Sequence, residues 1–260
     1  MNPMMVNPVM ATRKTKLLSC INPATQFGLE IGPLTNPIVT RDMGEVRYVD
    51  HATTEDLRAK YKNDSSIDVN SIVEVDYVWG AQSLPELVKR EVPFDYAIAS
   101  YVIEHVPDFV GWLKEVRAVL KPGGILSLAI PDKRFCFDYY RSLTKPADVL
   151  EAFLQSAKRP SSRQIFDYFS SAVSRHGAIT WEGQVDEHEL ATIHSELYAW
   201  EMASKAFKSA IYEDVHCWVF TPESFFQLLK TLNNLELLEF KVAKFYETTG
   251  CEFYVSLEAI

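Results

Sequence analysis

Cysteine is scarce in this chain and widely spaced. The four present, Cys20, Cys136, Cys217 and Cys251, include no C-x-x-C pair and none at the spacing of a cysteine/histidine finger. That argues against both a zinc knuckle and a disulfide framework, and makes a reducing cytosol the simplest setting. Long apolar runs are missing too: no window approaches the roughly eighteen consecutive apolar residues of a membrane helix. Leu17-Leu18-Ser19-Cys20 has the shape of a lipoprotein cleavage box, but Arg13, Lys14 and Lys16 stand where a signal peptide needs its apolar core, so no leader is expected. Positive charge is in deficit, with 26 Lys and Arg against 35 Asp and Glu and a formal net charge of -9. Tracking a phosphate backbone needs a concentrated Lys/Arg surface, so no nucleic-acid partner is expected.

What is present is an ordinary globular composition, 47% hydrophobic and 23% charged over 260 residues. That suits one large domain or a domain carrying an insertion. Residues 1–24 mix Pro, Met and basic side chains without a clean period and read as a tail or cap. From there strands and helices alternate. Short apolar runs at Phe27 to Ile31 and Val46 to Asp50 read as buried strands, with room for a short helix from Asn36 to Met43 between them. Thr53 or Thr54 can cap a helix from Glu55 to Tyr61. A third strand over Ser71 to Val78, a helix over Leu84 to Arg90 and a fourth strand over Phe94 to Ser100 follow. Asp108 can cap a helix whose Phe109, Trp112, Leu113, Val116, Val119 and Leu120 fall at helical spacing. Lys121-Pro122-Gly123-Gly124 stops it, and Ile125 to Ile130 is a fifth strand. The alternation predicts an α/β core over 25–132 with a mainly parallel, Rossmann-like sheet and right-handed crossovers.

Beyond Asp132 the strand pattern fades, and helical segments around Ala147 to Lys158, Ile165 to Arg175 and Glu187 to Ala210 predict a helical insertion, or lid, over 133–215. Residues 216–260 complete the core. Thr221-Pro222-Glu223-Ser224 opens a helix, since Thr suits the cap and Pro the first helical position. Two closing strands, Leu235 to Tyr246 and Cys251 to Leu257, are joined by Glu247-Thr248-Thr249-Gly250; so short a link requires an antiparallel pair. The expected sheet has seven strands.

Ligands bind an open α/β sheet beyond the carboxyl ends of its strands. Gly32 follows the first strand, Asp50 ends the second, Asp76 sits late in the third, Ser100 and Tyr101 follow the fourth, and Asp132 follows the fifth. A glycine in the first turn lets backbone approach a ligand, and an acid ending the second strand can accept hydrogen bonds from both ribose hydroxyls. The spacing from Gly32 to Asp50 matches a dinucleotide site, yet the second and third glycines of G-x-G-x-x-G are absent and Pro33 removes an amide. Both departures disfavour a pyrophosphate, which needs a glycine-rich turn and a free helix N-terminus. They suit a cofactor with one nucleoside and no phosphates.

Leu29-Glu30-Ile31-Gly32-Pro33, Tyr48-Val49-Asp50-His51, Ala99 to Asp108 (Ala-Ser-Tyr-Val-Ile-Glu-His-Val-Pro-Asp) and Leu120-Lys121-Pro122-Gly123-Gly124 occur in this order. The ordered set resembles class I S-adenosylmethionine-dependent methyltransferases over about residues 25–132 and again from about 220. The first motif carries fewer glycines than that family usually shows. The resemblance implies a small-molecule methyltransferase with S-adenosyl-L-methionine as cofactor. It implies that Glu30 and Gly32 border the methionine part, Asp50 holds the ribose, Asp76 reaches the adenine amine, and Ser100 and Tyr101 floor the site near the sulfonium, with Pro33 and His51 also among the cofactor-binding residues.

For an amine acceptor, positioning alone can suffice, whereas a hydroxyl needs a base or a metal to help remove its proton. His105, in the loop after the fourth strand, and His216, with Asp214 two residues away, are the candidate catalytic groups; on an extended segment Asp214 would orient His216. The cluster Asp186-Glu187-His188 with His194 lacks the spacing of a common helical face, so no metal site is expected. Asp132-Lys133-Arg134-Phe135 and Phe137-Asp138-Tyr139-Tyr140-Arg141 mix cations with aromatics that can stack on a sugar and pair with a phosphate, or merely anchor the insertion. The mild preference is for a hydroxyl of a sugar, glycan or lipid-linked metabolite. N- or C-methylation, an NAD-dependent oxidoreductase and a non-catalytic methyltransferase-like interaction protein stay open. A second copy of the chain is an admissible partner, through a long helix carrying Leu190, Ile193, Leu197, Trp200 and Phe207 that otherwise belongs to the core.

Overall fold

The structure, a computed structural model, describes residues 8–209 and 211–260. The first helix, α1 (Pro8–Leu17), replaces much of the expected tail; residues 1–7 of that tail lie outside the described residues. Leu17 is fully buried and its carbonyl accepts from Ser127 Oγ at 2.7 Å. Burial of one leucine and that long-range bond dock a segment whose composition alone looked loose.

Next come β1 (Gly28–Ile31), β2 (Val46–Asp50), α2 (Thr54–Tyr61), β3 (Tyr77–Val78), α3 (Leu84–Leu87) and β4 (Phe94–Ser100). Thr53 caps α2 by accepting from the Asp56 amide, which satisfies one of the orphan donors of the first turn. No helix forms between Asn36 and Met43. The amides of Ile38 and Val39 donate instead to the Glu30 carboxylate, at 2.6 and 3.0 Å, a stronger local partner than a short helix offers. The third strand is also shorter than expected; only Tyr77 and Val78 pair, with Val49 and Asp50.

Helix α4 (Phe109–Val119) is capped by Asp108, which accepts from Gly111 N at 2.8 Å, and it buries Phe109, Val110, Trp112, Leu113, Val116 and Val119. It runs straight into β5 (Leu120–Pro131). Pairing with β4 jumps from Phe94–Leu120 to Tyr96–Ile125, so Lys121-Pro122-Gly123-Gly124 bulges out within the strand instead of separating helix from strand. Gly123 takes φ +78° there, a conformation that glycine adopts without a Cβ penalty.

The segment after β5 holds α5 (Pro146–Leu154), α6 (Ser162–Ser171), β6 (Val173–Arg175), β7 (Leu190–Thr192) and α7 (Glu196–Ser209). The antiparallel β6–β7 pair was not expected; three-residue strands are too short for their alternation to show in sequence. Helix α8 (Pro222–Asn234), capped by Thr221, leads to β8 (Phe240–Thr249) and β9 (Glu252–Ala259).

The main sheet has seven strands in the order β3-β2-β1-β4-β5-β9-β8. The first five are parallel, and β9 is antiparallel to both β5 and β8. β1 is buried throughout and β4 nearly so, as expected when both faces of a parallel sheet are covered. On one face Phe94, Phe109, Trp218, Phe220, Phe225 and Phe253 form the larger core. On the other, Leu17, Ile38, Val39, Tyr48, Tyr96 and Tyr254 form a second. The sheet therefore fixes the strand ends from both sides. The strand order changes direction at β1 and β4, where a crevice for a ligand opens.

Candidate active site

Gly32 follows β1 with φ +67°, and a Cβ there would stand 2.9 Å from Val102 Cγ2. Only glycine lets the loop after β1 pass so near the loop after β4. Glu30 is turned into the second core, where both carboxylate oxygens hold the Ile38 and Val39 amides. Burial pushes its pKa up to about 7 against the pull of those two amides. It shapes the loop, and Pro33, buried within it, accepts from Asn36 N to close the following turn.

Asp50 ends β2 and is buried. Its Oδ1 accepts from His51 N and faces His51 Nδ1, both at 2.7 Å, and no hydrogen bond is described on Oδ2. Asp76 does not reach the same rim. Val78 is level with Asp50, so Asp76 sits below the strand end, where Tyr48 N and Arg41 Nη2 occupy its carboxylate at 2.8 to 3.0 Å. The short third strand is the reason, and Trp79, which donates to the Asp50 carbonyl at 2.7 Å, takes the rim position.

Ser100 and Tyr101 end β4, with Tyr101 at φ +55°. Sequence reasoning missed their partner, Arg13 of α1. Its guanidinium bonds Ser100 Oγ, pairs with Glu252 Oε1 at 2.8 Å and lies over the Tyr101 ring. Burial, with the Glu252 charge behind it, raises the Tyr101 hydroxyl well above the ordinary phenol range. No local pattern in a basic N-terminal stretch announces such a contact.

The loop from Tyr101 to Asp108 leads to the second half of the site. Glu104 is fully buried, and neither carboxylate oxygen has a hydrogen-bond partner among the described residues. Its carbonyl accepts from Cys217 N at 2.7 Å and Trp218 N at 3.2 Å, which pins the loop to the chain entering α8. His105 and His216 meet edge to face there, 4.7 Å between ring centroids. His105 Nδ1 stands 2.9 Å from Asp214 Oδ1, and His216 Nδ1 2.6 Å from Asp138 Oδ2. Asp138 in turn holds the buried Arg141 at 2.8 Å, which reaches Asp167 at 2.8 Å.

The expectation that Asp214 orients His216 is corrected by this geometry. Residues 211–216 form no strand, so the alternation rule does not govern them, and Asp214 serves His105 instead. The carboxylate behind His216 comes from Asp138, 78 residues away. Burial lowers the His105 pKa, but Asp214 and Glu104 outweigh it and leave the imidazole above its ordinary value. The contact with His105 depresses Asp214 despite partial burial. Burial raises Asp138, yet His216 and Arg141 together bring it down to about 2. Lys60 Nζ lies 3.4 Å from both Asp214 Oδ2 and His51 Nε2, so it ties the cluster to the Asp50 rim. The two arginines of the Arg/aromatic stretch are occupied within the protein, Arg134 by Asp132 and Arg141 by Asp138 and Asp167. His194 packs on Phe169 and Tyr198, away from the cluster.

A seven-stranded sheet of this order, with a lone glycine turn after β1 and an acid ending β2, defines a Rossmann-like methyltransferase. The model of the methyltransferase domain family matches residues 11–239. The chain belongs to that family, is a methyltransferase, and takes S-adenosylmethionine as methyl donor. The CcbJ methyltransferase of Streptomyces caelestis is similar in structure, with 11% identity, coverage of 100% of this chain and 99% of that one, and a TM-score of 0.47. So is an S-adenosylmethionine-dependent methyltransferase from Mesorhizobium loti, at 13% identity, 96% and 99% coverage and a TM-score of 0.45. The chain spans 50% of the CurJ carbon methyltransferase, with 93% of its own residues covered, 13% identity and a TM-score of 0.41. No curated protein sequence matches it. The residues suit this donor: Asp50 ends β2 buried at the rim, and among the described residues no hydrogen bond falls on its Oδ2.

Proposed function

We propose that the chain methylates a hydroxyl of a small polar acceptor, of the sugar or sugar-linked metabolite class, under a lid formed by residues 133–215. The observation that carries this reading is the pair of carboxylate-backed imidazoles, His105 and His216, beside the loop after β4. An amine needs no such apparatus, whereas a hydroxyl must lose its proton to become an effective nucleophile.

S-adenosylmethionine, when bound, supplies a sulfonium methyl open to in-line displacement. Gly32 would border the methionine part, Asp50 would accept from the ribose, and Ser100 and Tyr101 would floor the reacting end. The imidazole cluster draws the proton from the acceptor hydroxyl, and Asp214 and Asp138 hold the rings at Nδ1 and stabilise positive charge on them. A cleft of about 710 Å³, lined in part by Arg141, Thr144, Arg163 and Trp218, adjoins the cluster through Arg141 and Cys217 and supports a polar acceptor. Phe137 and Tyr168, packed against His216, supply faces on which a sugar ring can stack.

The test is transfer of labelled methyl into a panel of sugars, hydroxylated lipids and matched amines. Hydroxyl products are expected, with turnover in His105→Ala and His216→Ala reduced on the order of 10²-fold or more while S-adenosylhomocysteine affinity holds. Labelling confined to amines, or unchanged turnover in both variants, would overturn the reading. The bare face of α7, with Leu197, Trp200 and Phe207 exposed, offers a surface for the second copy expected from the sequence.

A further inference from the structure

We propose that Glu104, His105 and His216 hold a divalent transition-metal ion of the zinc type. Their ligand atoms already lie within 4.8 Å of one another. A tetrahedral ion with bonds of about 2.0–2.2 Å spaces its ligands by about 3.4 Å, so closing the site takes side-chain movements on the order of an ångström. No backbone rearrangement is needed.

Three features separate this cluster from a chance gathering. The first is Glu104. A carboxylate with no exposed surface and no hydrogen bond on either oxygen is a costly group to keep, because burying an unpaired polar group costs about 1–3 kcal/mol, and more when charged. A bound cation removes that cost.

The second is the orientation of both histidines. His216 presents Nδ1 to Asp138 Oδ2 in a hydrogen bond of 2.6 Å, and His105 Nδ1 lies 2.9 Å from Asp214 Oδ1 without hydrogen-bond geometry. A carboxylate behind a histidine is the arrangement that fixes the tautomer and raises the basicity of a metal ligand. Asp138 is itself held by Arg141. Two such pairs converge on one orphaned carboxylate.

The third is the donor set. Two imidazole nitrogens and one carboxylate oxygen suit zinc, iron, cobalt or nickel rather than calcium or magnesium, which take oxygen-rich shells. Three protein ligands leave a coordination position open, the mark of a reactive rather than a structural site. His105 is the partly exposed member, with 31% of its side chain accessible.

With an ion in place the imidazoles are ligands rather than proton acceptors, and the ion lowers the pKa of an oxygen bound at the open position. This inference rests on the hydroxyl-methylation reading above but replaces its imidazole base with an ion-bound oxygen; the ion site itself stands on the three side chains. Apoprotein prepared with a chelator is titrated with Co²⁺ and followed by its visible d–d absorption, with Zn²⁺ as competitor. One ion per chain is expected, in a low-coordinate spectrum. Glu104→Gln and His105→Ala should each lower the affinity at least tenfold, and Asp214→Asn, on the partly exposed partner, about 10–100-fold. His194→Ala should leave it unchanged. Absence of cobalt binding, or binding unaltered by Glu104→Gln and His105→Ala, overturns the site. Calorimetry with S-adenosylhomocysteine on the same samples shows that each variant is folded. It reads the cofactor site separately, so failure of the metal inference and failure of the cofactor reading are distinguishable.

Discussion

Two buried acids respond to burial in opposite directions, and the difference lies in their partners. Asp138 faces His216 and Arg141, and these partners bring its pKa down to about 2 although burial pushes it up. Its folded value is below the ordinary 3.8, so its stabilisation is complete above about pH 4 and is lost as pH falls through about 2. Glu30 has two backbone amides and the weaker pull of Arg13 and Lys14, and burial wins, from 4.5 to about 7. Its folded value is above the ordinary one, so the stability it contributes is complete below about pH 4.5 and lost as pH rises through about 7. Urea midpoints measured against pH should therefore diverge for Asp138→Asn and wild type on the acid side, by about 2 kcal/mol. Glu30→Gln should diverge between about pH 4.5 and 7, by about 3 kcal/mol. Parallel curves for either variant would refute the partner assignment for that residue.

At the scale of elements, the seam between α6 and α7 shows how packing reaches the site. Ala199, Ala203 and Ala206 are buried on one side of α7, while Leu197, Trp200 and Phe207 face outward. The sequence placed those large residues in the core or against a second copy; small residues are what let the two helices approach. Ala203 and Ala206 cluster with Ile165 and Val215, the residue before His216. Ala203→Leu overpacks this seam and should cost about 1–3 kcal/mol by chemical denaturation, with lower turnover because Val215 and His216 shift together. Phe207→Glu should stay within about 0.5 kcal/mol; equal losses in the two would show that the seam is not where α7 is held. The elements legible in sequence, β2, β4, α4 and α8, are those whose apolar pattern or cap is local. Those misread depended on distant partners: the loop after Gly32 on Glu30, α1 on Ser127, and the bulge at Lys121 to Gly124 on its register with β4.

For the whole molecule, the same division separates the cofactor half of the site from the acceptor half. The placement of Gly32, Asp50, Ser100 and Tyr101 at strand ends was legible because a parallel sheet delivers the ends of successive strands to one rim, and strand ends show in sequence. Asp138 behind His216, Asp214 behind His105 and Arg13 against Ser100 were not, since each pairing closes only when the chain outside the sheet folds onto it. This gives a test of whether the rim binds as one unit with the fold. A ligand that binds only the folded chain at a hundredfold excess over its Kd adds about 2.7 kcal/mol. For a chain of this size that corresponds to a rise in Tm on the order of 5–10 °C. S-adenosylhomocysteine should produce that rise in wild type. Asp50→Ala, which loses the rim carboxylate but leaves both cores intact, should keep the ligand-free Tm within about 2 °C and show little of the rise. NADH should shift neither protein, because the loop after β1 offers no glycine-rich cradle for a pyrophosphate. A rise of equal size in Asp50→Ala would remove this carboxylate from the ribose and place the nucleoside elsewhere on the rim.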